Sequence, residues 1–247
     1  MIGVRGKGIG AFALLLATVF AGCGPSPVRP LREDTRSVLR GASVRVYALH
    51  PWQKIVQSEL VYKGLWNDHN FRVFATEGIW DPGPAMEKLA TPVLADRAGI
   101  LGTPLRSQLD PKTFAAFHKA TMEGVQNNVR DVGMGALLQP VGEPYLSLKS
   151  QGIEYLLELI LEVVLVHCNS CFPARFAIDV TGRLVRISDG AVLWAERGGS
   201  SVSIPGLAYF SDLEKNDLAL MKNRFDEAMK TLLSPSHPFL RGLARPD

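Results

Sequence analysis

The 247-residue sequence predicts an α/β fold: a mixed sheet with an antiparallel C-terminal meander, helices packed on it, and a single main domain. Three observations predict it. Between residues 152 and 197 three apolar, β-branched segments follow one another. The last two are joined by Ser188-Asp189-Gly190, residues that suit a hairpin turn. Two helical stretches flank this meander, one opened by Asp110-Pro111 and one carrying Leu218, Met221, Phe225, Ala228, Met229 and Leu232 at helical spacing.

The elements follow in order. Residues 42–49 alternate, with Val44, Val46 and Ala48 set against Arg45 and Tyr47, the pattern of a half-buried strand. In residues 52–80, Val56, Leu60, Val61 and Leu65 suggest a helix and Phe71-Arg72-Val73-Phe74 a short strand. Asp81-Pro82-Gly83-Pro84 is a turn by composition, and residues 85–94 form a weak helix interrupted at Pro92. Asp110 caps a helix with Pro111 at its first position; Phe114, Phe117, Thr121, Gly124 and Val125 share a face, and the helix fades near Asn127-Asn128. Residues 134–141 read as a short strand.

Residues 152–167 carry the strongest core pattern. Ile153, Tyr155, Leu157, Leu159, Leu161, Val163 and Leu165 hold the odd positions, and Glu154, Glu158 and Glu162 lie among the even ones. Those glutamates also fit a helical stripe, but the β-branched cluster Ile160, Val163, Val164, Val166 favours a long strand. Residues 175–187 form a second strand whose apolar parity changes across Gly182, so a bulge or bend is expected there. Residues 191–197 form a third, and Gly198-Gly199-Ser200-Ser201 reads as a loop after it. Asn216 or Asp217 is expected to cap the last helix. The assembled expectation is an N-terminal strand, helices on one face, and an antiparallel sheet closed by the helix of residues 216–233.

The first two dozen residues have a different character. Arg5 and Lys7 precede an apolar run that closes on Leu14-Leu15-Leu16-Ala17-Thr18-Val19-Phe20-Ala21-Gly22-Cys23. A positive start, an apolar middle and small residues at the end are the layout of a secretory signal. The run from Ile9 to Ala21 is shorter than the roughly 20 residues of a spanning helix. Ala21-Gly22 before a cysteine resembles the lipobox of bacterial lipoproteins, with Phe20 where those signals usually carry Leu. The resemblance implies diacylglycerol on the Cys23 thiol, cleavage before Cys23, and a triacylated N-terminus held in the membrane. Gly24 after the cysteine, in place of Asp, implies sorting to the periplasmic face of the outer membrane. The expected organisation is a signal peptide over residues 1–22, a lipidated cysteine and Pro-rich tether over 23–40, and the α/β body over 41–240.

Cleavage would leave about 225 residues, enough for a real core. It would also remove Arg5 and Lys7 from the 27 basic residues, leaving 25 against 24 acidic ones and a net charge of +1. With no basic run, nucleic acid is not an expected partner. Of three cysteines, Cys23 is assigned to lipid, and Cys168 with Cys171 form an even pair in an oxidising compartment. Cys168-Asn169-Ser170-Cys171 invites a redox reading, yet the motif follows a strand and precedes a strand, so no helix N-terminus lowers either thiol pKa. A structural disulfide is the preferred reading, with a thiol-disulfide protein as the alternative.

Glu154, Glu158 and Glu162 do not make a hydrolytic pair: on a strand, neighbours four apart stand about 13 Å from one another, against roughly 5–9 Å for glycosidase carboxylates. A solvated face, or ion pairs to Arg175, Arg183 or Arg186, is the expected use. His50, His69, His118, His167 and His237 are scattered, and no metalloprotease, nucleophile-elbow, dinucleotide or phosphate-loop motif occurs. No catalytic residue, metal ligand or cofactor is expected.

A second resemblance covers about residues 130–235. Gly152-Ile153-Glu154-Tyr155-Leu156-Leu157-Glu158 and the hairpin from Arg183 to Trp194 resemble strands of the α/β domain shared by the curli-secretion lipoprotein, the penicillin-binding-protein activator lipoproteins and the N-terminal domain of the Tol translocation protein. It implies a fold and carries no binding residue over. The segment between Cys168 and Cys171 and the region from Trp52 to Pro104 depart from it. With the lipobox, it implies a membrane-anchored, non-enzymatic accessory that meets a periplasmic or outer-membrane protein. An oligomeric export-channel subunit is the alternative by the same analogy.

Overall fold

The computed structural model describes residue 29 and residues 31–39, 42–63, 66–132, 134–169, 172–205 and 218–243. In chain order the elements are α1 (Glu33–Leu39), β1 (Ser43–Leu49), β2 (Lys54–Lys63), β3 (Trp66–Ala75), α2 (Gly83–Ala98), β4 (Leu101–Pro104), α3 (Pro111–Val132), β5 (Tyr155–Asn169), β6 (Phe172–Arg186), β7 (Ala191–Ile204) and α4 (Ala219–Leu232). Short 3₁₀ turns at Leu105–Ser107, Met134–Leu138 and Tyr145–Gln151 fill the connections. The seven strands make one mixed sheet with helices packed on it, in a single domain.

The long strand β5 organises that sheet. One edge of it runs antiparallel to β6, which pairs antiparallel with β7, so β5–β6–β7 is the expected meander. Its other edge is parallel first to β1, from Val44↔Tyr155 to Leu49↔Ile160, and then to β2, from Val56↔Leu165 to Leu60↔Asn169. Thus β1 and β2 lie end to end along one side of β5. β4 widens the sheet beside β1, and β3 widens it beside β2.

Both faces are covered at the β1 end, which explains why β5 reads as nearly continuous apolar sequence. One face carries Val44, Val46, Leu157, Leu159, Leu161, Phe176, Ile178 and Trp194, packed under α2 and α4. The other carries Tyr47, Leu49, Leu156, Ile160 and Val185, packed under α3 and the 3₁₀ turns. Helices therefore lie on both faces of the sheet, where the alternation predicted one. The apolar stripe of α4 is as expected: Met221, Phe225, Ala228, Met229 and Leu232 are all buried.

Several expectations change for identifiable reasons. Residues 54–63 form a strand, not a helix: Val56 is held between Val73 of β3 and Leu165 of β5, which satisfies the backbone on both sides. α2 runs through Pro92, because Pro92 is exposed and Lys88, whose carbonyl loses its intrahelical donor, is exposed too. α3 continues to Val132, since Val129 beyond the asparagines still packs on the second core. Its start is as expected, with the Asp110 carboxylate accepting from the Thr113 N–H at 3.0 Å and the Lys112 N–H at 3.1 Å. Met134–Leu138 is a 3₁₀ turn, and its Leu137 carbonyl accepts from Arg183 at 3.1 Å instead of joining a strand ladder.

Gly182 stays in register between Leu159 and Glu196 and is not a bulge. A Cβ there would lie 2.9 Å from the Trp194 ring, so the glycine answers to close approach. The register shifts fall elsewhere: at Glu162 in β5, where Leu161↔Val180 is followed by Val163↔Asp179, again between His167↔Arg175 and Asn169↔Phe172, and at Leu193 in β7. Gly198 and Gly199 belong to β7, not to a loop; a Cβ on Gly198 would stand 2.7 Å from Phe239.

Residues 1–28, including Cys23, lie outside the described residues, as do Asn216 and Asp217. Within the stretch expected as tether, Arg29 forms an antiparallel bridge with Ala195 of β7 (2.8 and 3.1 Å), and Leu31 and Leu39 are buried in the first core.

Candidate functional site

Alternation along β5 and β6 sends Glu158, Glu162, Thr181 and Arg183 to the α3 side of the sheet. There they form a polar seam. Glu158 is fully buried and accepts from Arg183 Nε and from the Tyr145 hydroxyl. Arg183, 4% exposed, also donates to the Tyr145 oxygen at 2.9 Å and to the Leu137 carbonyl at 3.1 Å. One strand further along, Glu162 accepts from the Thr181 hydroxyl and pairs with Arg197 at 2.8 Å, and Arg197 reaches Asp179 at 3.0 Å.

The expected ion pairing of the glutamates thus holds for Arg183, but neither Glu158 nor Glu162 lies on a solvated face. Only Glu154 is exposed. Burial pushes the Arg183 pKa down, and Glu158 and Tyr145 beside it outweigh this and hold it above its ordinary value. Burial raises the Tyr145 pKa well above the usual tyrosine range, so its hydroxyl stays a neutral donor to Glu158.

Above the seam, between α3 and residues 136–145, lies a cavity of about 240 Å³. Thr121, Val125, Ala136, Pro140 and Tyr145 line it, with Arg183 at its back. Ligand pockets usually run to about 300–1,000 Å³, so this one has room for a side chain or a very small molecule.

A second cluster gathers where β1 ends, a position for which sequence motifs had given no sign. Glu87 of α2, 1% exposed, receives Arg106 at 2.6 and 3.2 Å and the Ala48 backbone N–H at 3.1 Å. The Arg106 guanidinium lies 4.9 Å over the Phe114 ring. Tyr47 of β1 is hydrogen-bonded through its hydroxyl to His118 Nδ1 at 2.9 Å, and His118 stacks on Phe114. His50, 3% exposed, stands edge-on to Trp80, which meets Phe225 in turn.

Burial lowers the His50 pKa to about 4, against a smaller upward pull from Asp81. Burial also lowers the His118 pKa, with Asp81 opposing and Arg106 assisting. Glu87 is raised by burial, an effect opposed by Arg106. These contacts tie β1 to α2 on one face and to α3 on the other. The only sequence signal for them was the pairing of Phe114 with His118 one helical turn apart.

Of the residues singled out from sequence, Cys23 and Cys171 lie outside the described residues, and so does the side chain of Cys168. The backbone places Cys168 next to the end of β5, and β6 begins at Phe172. Among the described residues no group of three or more His, Cys, Asp or Glu side chains could hold a metal ion. No helix among them is long and apolar enough to cross a membrane.

No protein-family model matches this sequence, and no curated protein matches it. Among solved structures the chain is similar to lipoprotein GNA1162 from Neisseria meningitidis, at 14% identity and a TM-score of 0.33, over 77% of this chain and 99% of that one. It is also similar to a Xanthomonas campestris protein described as DUF330, at 8% identity and a TM-score of 0.30, over 77% and 78% of the two chains. A third is the C-terminal domain of LpoB from Salmonella enterica, at 13% identity and a TM-score of 0.25, over 81% and 100%. TM-scores this low transfer no ligand, partner or role to this chain.

Proposed function

We propose that this chain is a lipoprotein of the bacterial envelope, acylated at Cys23 after removal of residues 1–22. It would stand at the periplasmic face of the outer membrane and act through contact with another envelope protein, not through catalysis. The observation that carries this reading is the apolar run closing on Ala21-Gly22-Cys23, six positions before Arg29, which among the described residues is the first to pair with the body. The sequence positions of the two cysteines, Cys168 near the end of β5 and Cys171 directly ahead of Phe172 where β6 begins, support a structural role for that pair. The ionisable clusters support the same reading, since their buried charges are spent on one another and on the helices.

Crosslinking in living cells followed by mass spectrometry, with wild type beside Cys23→Ala, tests it. The expected result is a defined envelope protein linked to wild-type chain in the membrane fraction, and loss of both link and membrane fractionation in Cys23→Ala. Unchanged membrane fractionation of Cys23→Ala would overturn the anchor. Loss of activity in Cys168→Ser with full retention of the crosslink would overturn the non-enzymatic role.

A further inference from the structure

A threonine inside a helix commonly returns its hydroxyl to the carbonyl one turn back. Two in this chain do so: Thr91 in α2 donates to the Glu87 carbonyl at 2.8 Å, and Thr231 in α4 to the Glu227 carbonyl at 2.9 Å. Thr121 in α3 does not. It is 1% exposed, and its hydroxyl is buried with no hydrogen-bond partner among the described residues. A buried hydroxyl left unpaired is costly, so this one points to a group that enters and meets it. Thr121 lines the cavity between α3 and residues 136–145, and Arg183 stands at its back. Of the five N–H groups of a guanidinium, those of Arg183 that reach Glu158, Tyr145 and the Leu137 carbonyl are taken, which leaves two. The buried end of the cavity therefore offers donors to an acceptor oxygen.

The charges around that end disfavour an ion. Arg183 already has Glu158 as its counter-charge, so an entering carboxylate would be buried without one of its own. Exposed Glu143 at the rim would repel it as well. An entering cation would face the guanidinium. A neutral polar group meets neither penalty, and the exposed amides of Asn128 and Gln139 at the mouth can both donate to it and accept from it. A cavity of about 150 Å³ takes up benzene, so one of about 240 Å³ has room for about ten non-hydrogen atoms. We infer that this cavity binds a neutral amide, its carbonyl oxygen against Thr121 and Arg183 and its N–H groups toward the mouth. The amide comes as a free small molecule or as the side chain of an asparagine or glutamine on a protein partner. The site goes beyond the lipoprotein reading and is independent of the anchor at Cys23.

The test titrates butyramide into the full isotope-labelled chain in detergent and follows the backbone amide resonances of Gly124 and Ala136, which both line the cavity. Butyrate and butylammonium, of similar size, are the charged controls. The expected result is saturable shifts at both residues with millimolar butyramide, and binding of either ion weaker by about tenfold or more. Thr121→Val keeps the shape and removes the hydroxyl. It should weaken butyramide by about fivefold, the worth of one hydrogen bond, with a urea midpoint equal to wild type or higher. No saturable shift with butyramide, butyrate bound as tightly as the amide, or unchanged affinity in Thr121→Val would each overturn the inference. A lowered midpoint in Thr121→Val would overturn it too, because the hydroxyl would then be partnered inside the protein. End-blocked Ala-Gln-Ala and Ala-Leu-Ala separate the two sources. Tighter binding of the glutamine peptide than of butyramide, with none of the leucine peptide, assigns a partner's side chain; binding of butyramide alone assigns a free amide.

Discussion

Removing either partner of the Glu158–Arg183 pair will cost far more than removing both. Glu158 is fully buried and Arg183 is 4% exposed, so neither can turn to water when its partner is lost. Arg183→Met strips Glu158 of its guanidinium and leaves a carboxylate facing only the Tyr145 hydroxyl. Glu158→Leu leaves the guanidinium with the Tyr145 oxygen and the Leu137 carbonyl, two neutral acceptors. Each single change leaves a buried charge without its counter-charge, a cost of about 3–5 kcal/mol. The double variant leaves no charge, and replacing a buried ion pair by apolar side chains of similar volume is often close to neutral, so its loss should fall below that of either single change.

The coupling between the two positions is then several kcal/mol, a large share of the roughly 5–15 kcal/mol that holds a domain folded. Urea unfolding followed through tryptophan fluorescence, with Trp194 fully buried as the probe, measures it. Additive losses in the double variant, or a loss below about 1 kcal/mol in either single one, would refute the reading of this seam as a desolvated pair.

Acid will weaken the fold through His50. Its pKa is lowered to about 4 in the folded chain from an ordinary 6.5, so the unfolded state takes the proton first as pH falls. The stability it supports is complete above about pH 6.5 and declines toward pH 4, by about 3 kcal/mol at 1.36 kcal/mol per pKa unit. His50→Leu should remove that part of the slope in urea midpoints measured across this window; an unchanged slope would place the acid sensitivity elsewhere. Two glycines should answer to alanine with opposite signs. A Cβ on Gly198 would stand 2.7 Å from Phe239 and 2.9 Å from Leu232, so Gly198→Ala should destabilise by about 1–3 kcal/mol. Gly124 in α3 has open space around that position, so Gly124→Ala should stabilise by about 1 kcal/mol. Melting temperatures of the two variants check this, and a shift of equal sign in both would contradict the packing described for β7.

What could be read from the residues alone was local chemistry. The Asp110 cap, the stripe from Leu218 to Leu232 and the Asp189-Gly190 turn are each decided within a few residues, and each is present. What could not be read depended on distant partners. Val56, Leu60 and Val61 are spaced as in a helix, and only β3 and β5 on either side make them a strand. Glu158 and Glu162 alternate with leucines as if facing water, because the cover over them comes from α3 and the 3₁₀ turns around Tyr145. Arg183 was a named candidate partner, and its position opposite Glu158 in the hairpin was the usable signal. Tyr47 with His118, and Glu87 with Arg106, are separated by 71 and 19 residues and meet only after the sheet and two helices are assembled.

The anchor at Cys23 governs the function and the compartment proposed for this chain. Metabolic labelling with a palmitate probe, read together with the intact mass of the mature chain, tests it most directly. The account predicts a labelled protein whose first residue is Cys23 carrying diacylglycerol, and no label in Cys23→Ala. Label that persists in Cys23→Ala, or a mature chain beginning anywhere but Cys23, would contradict it.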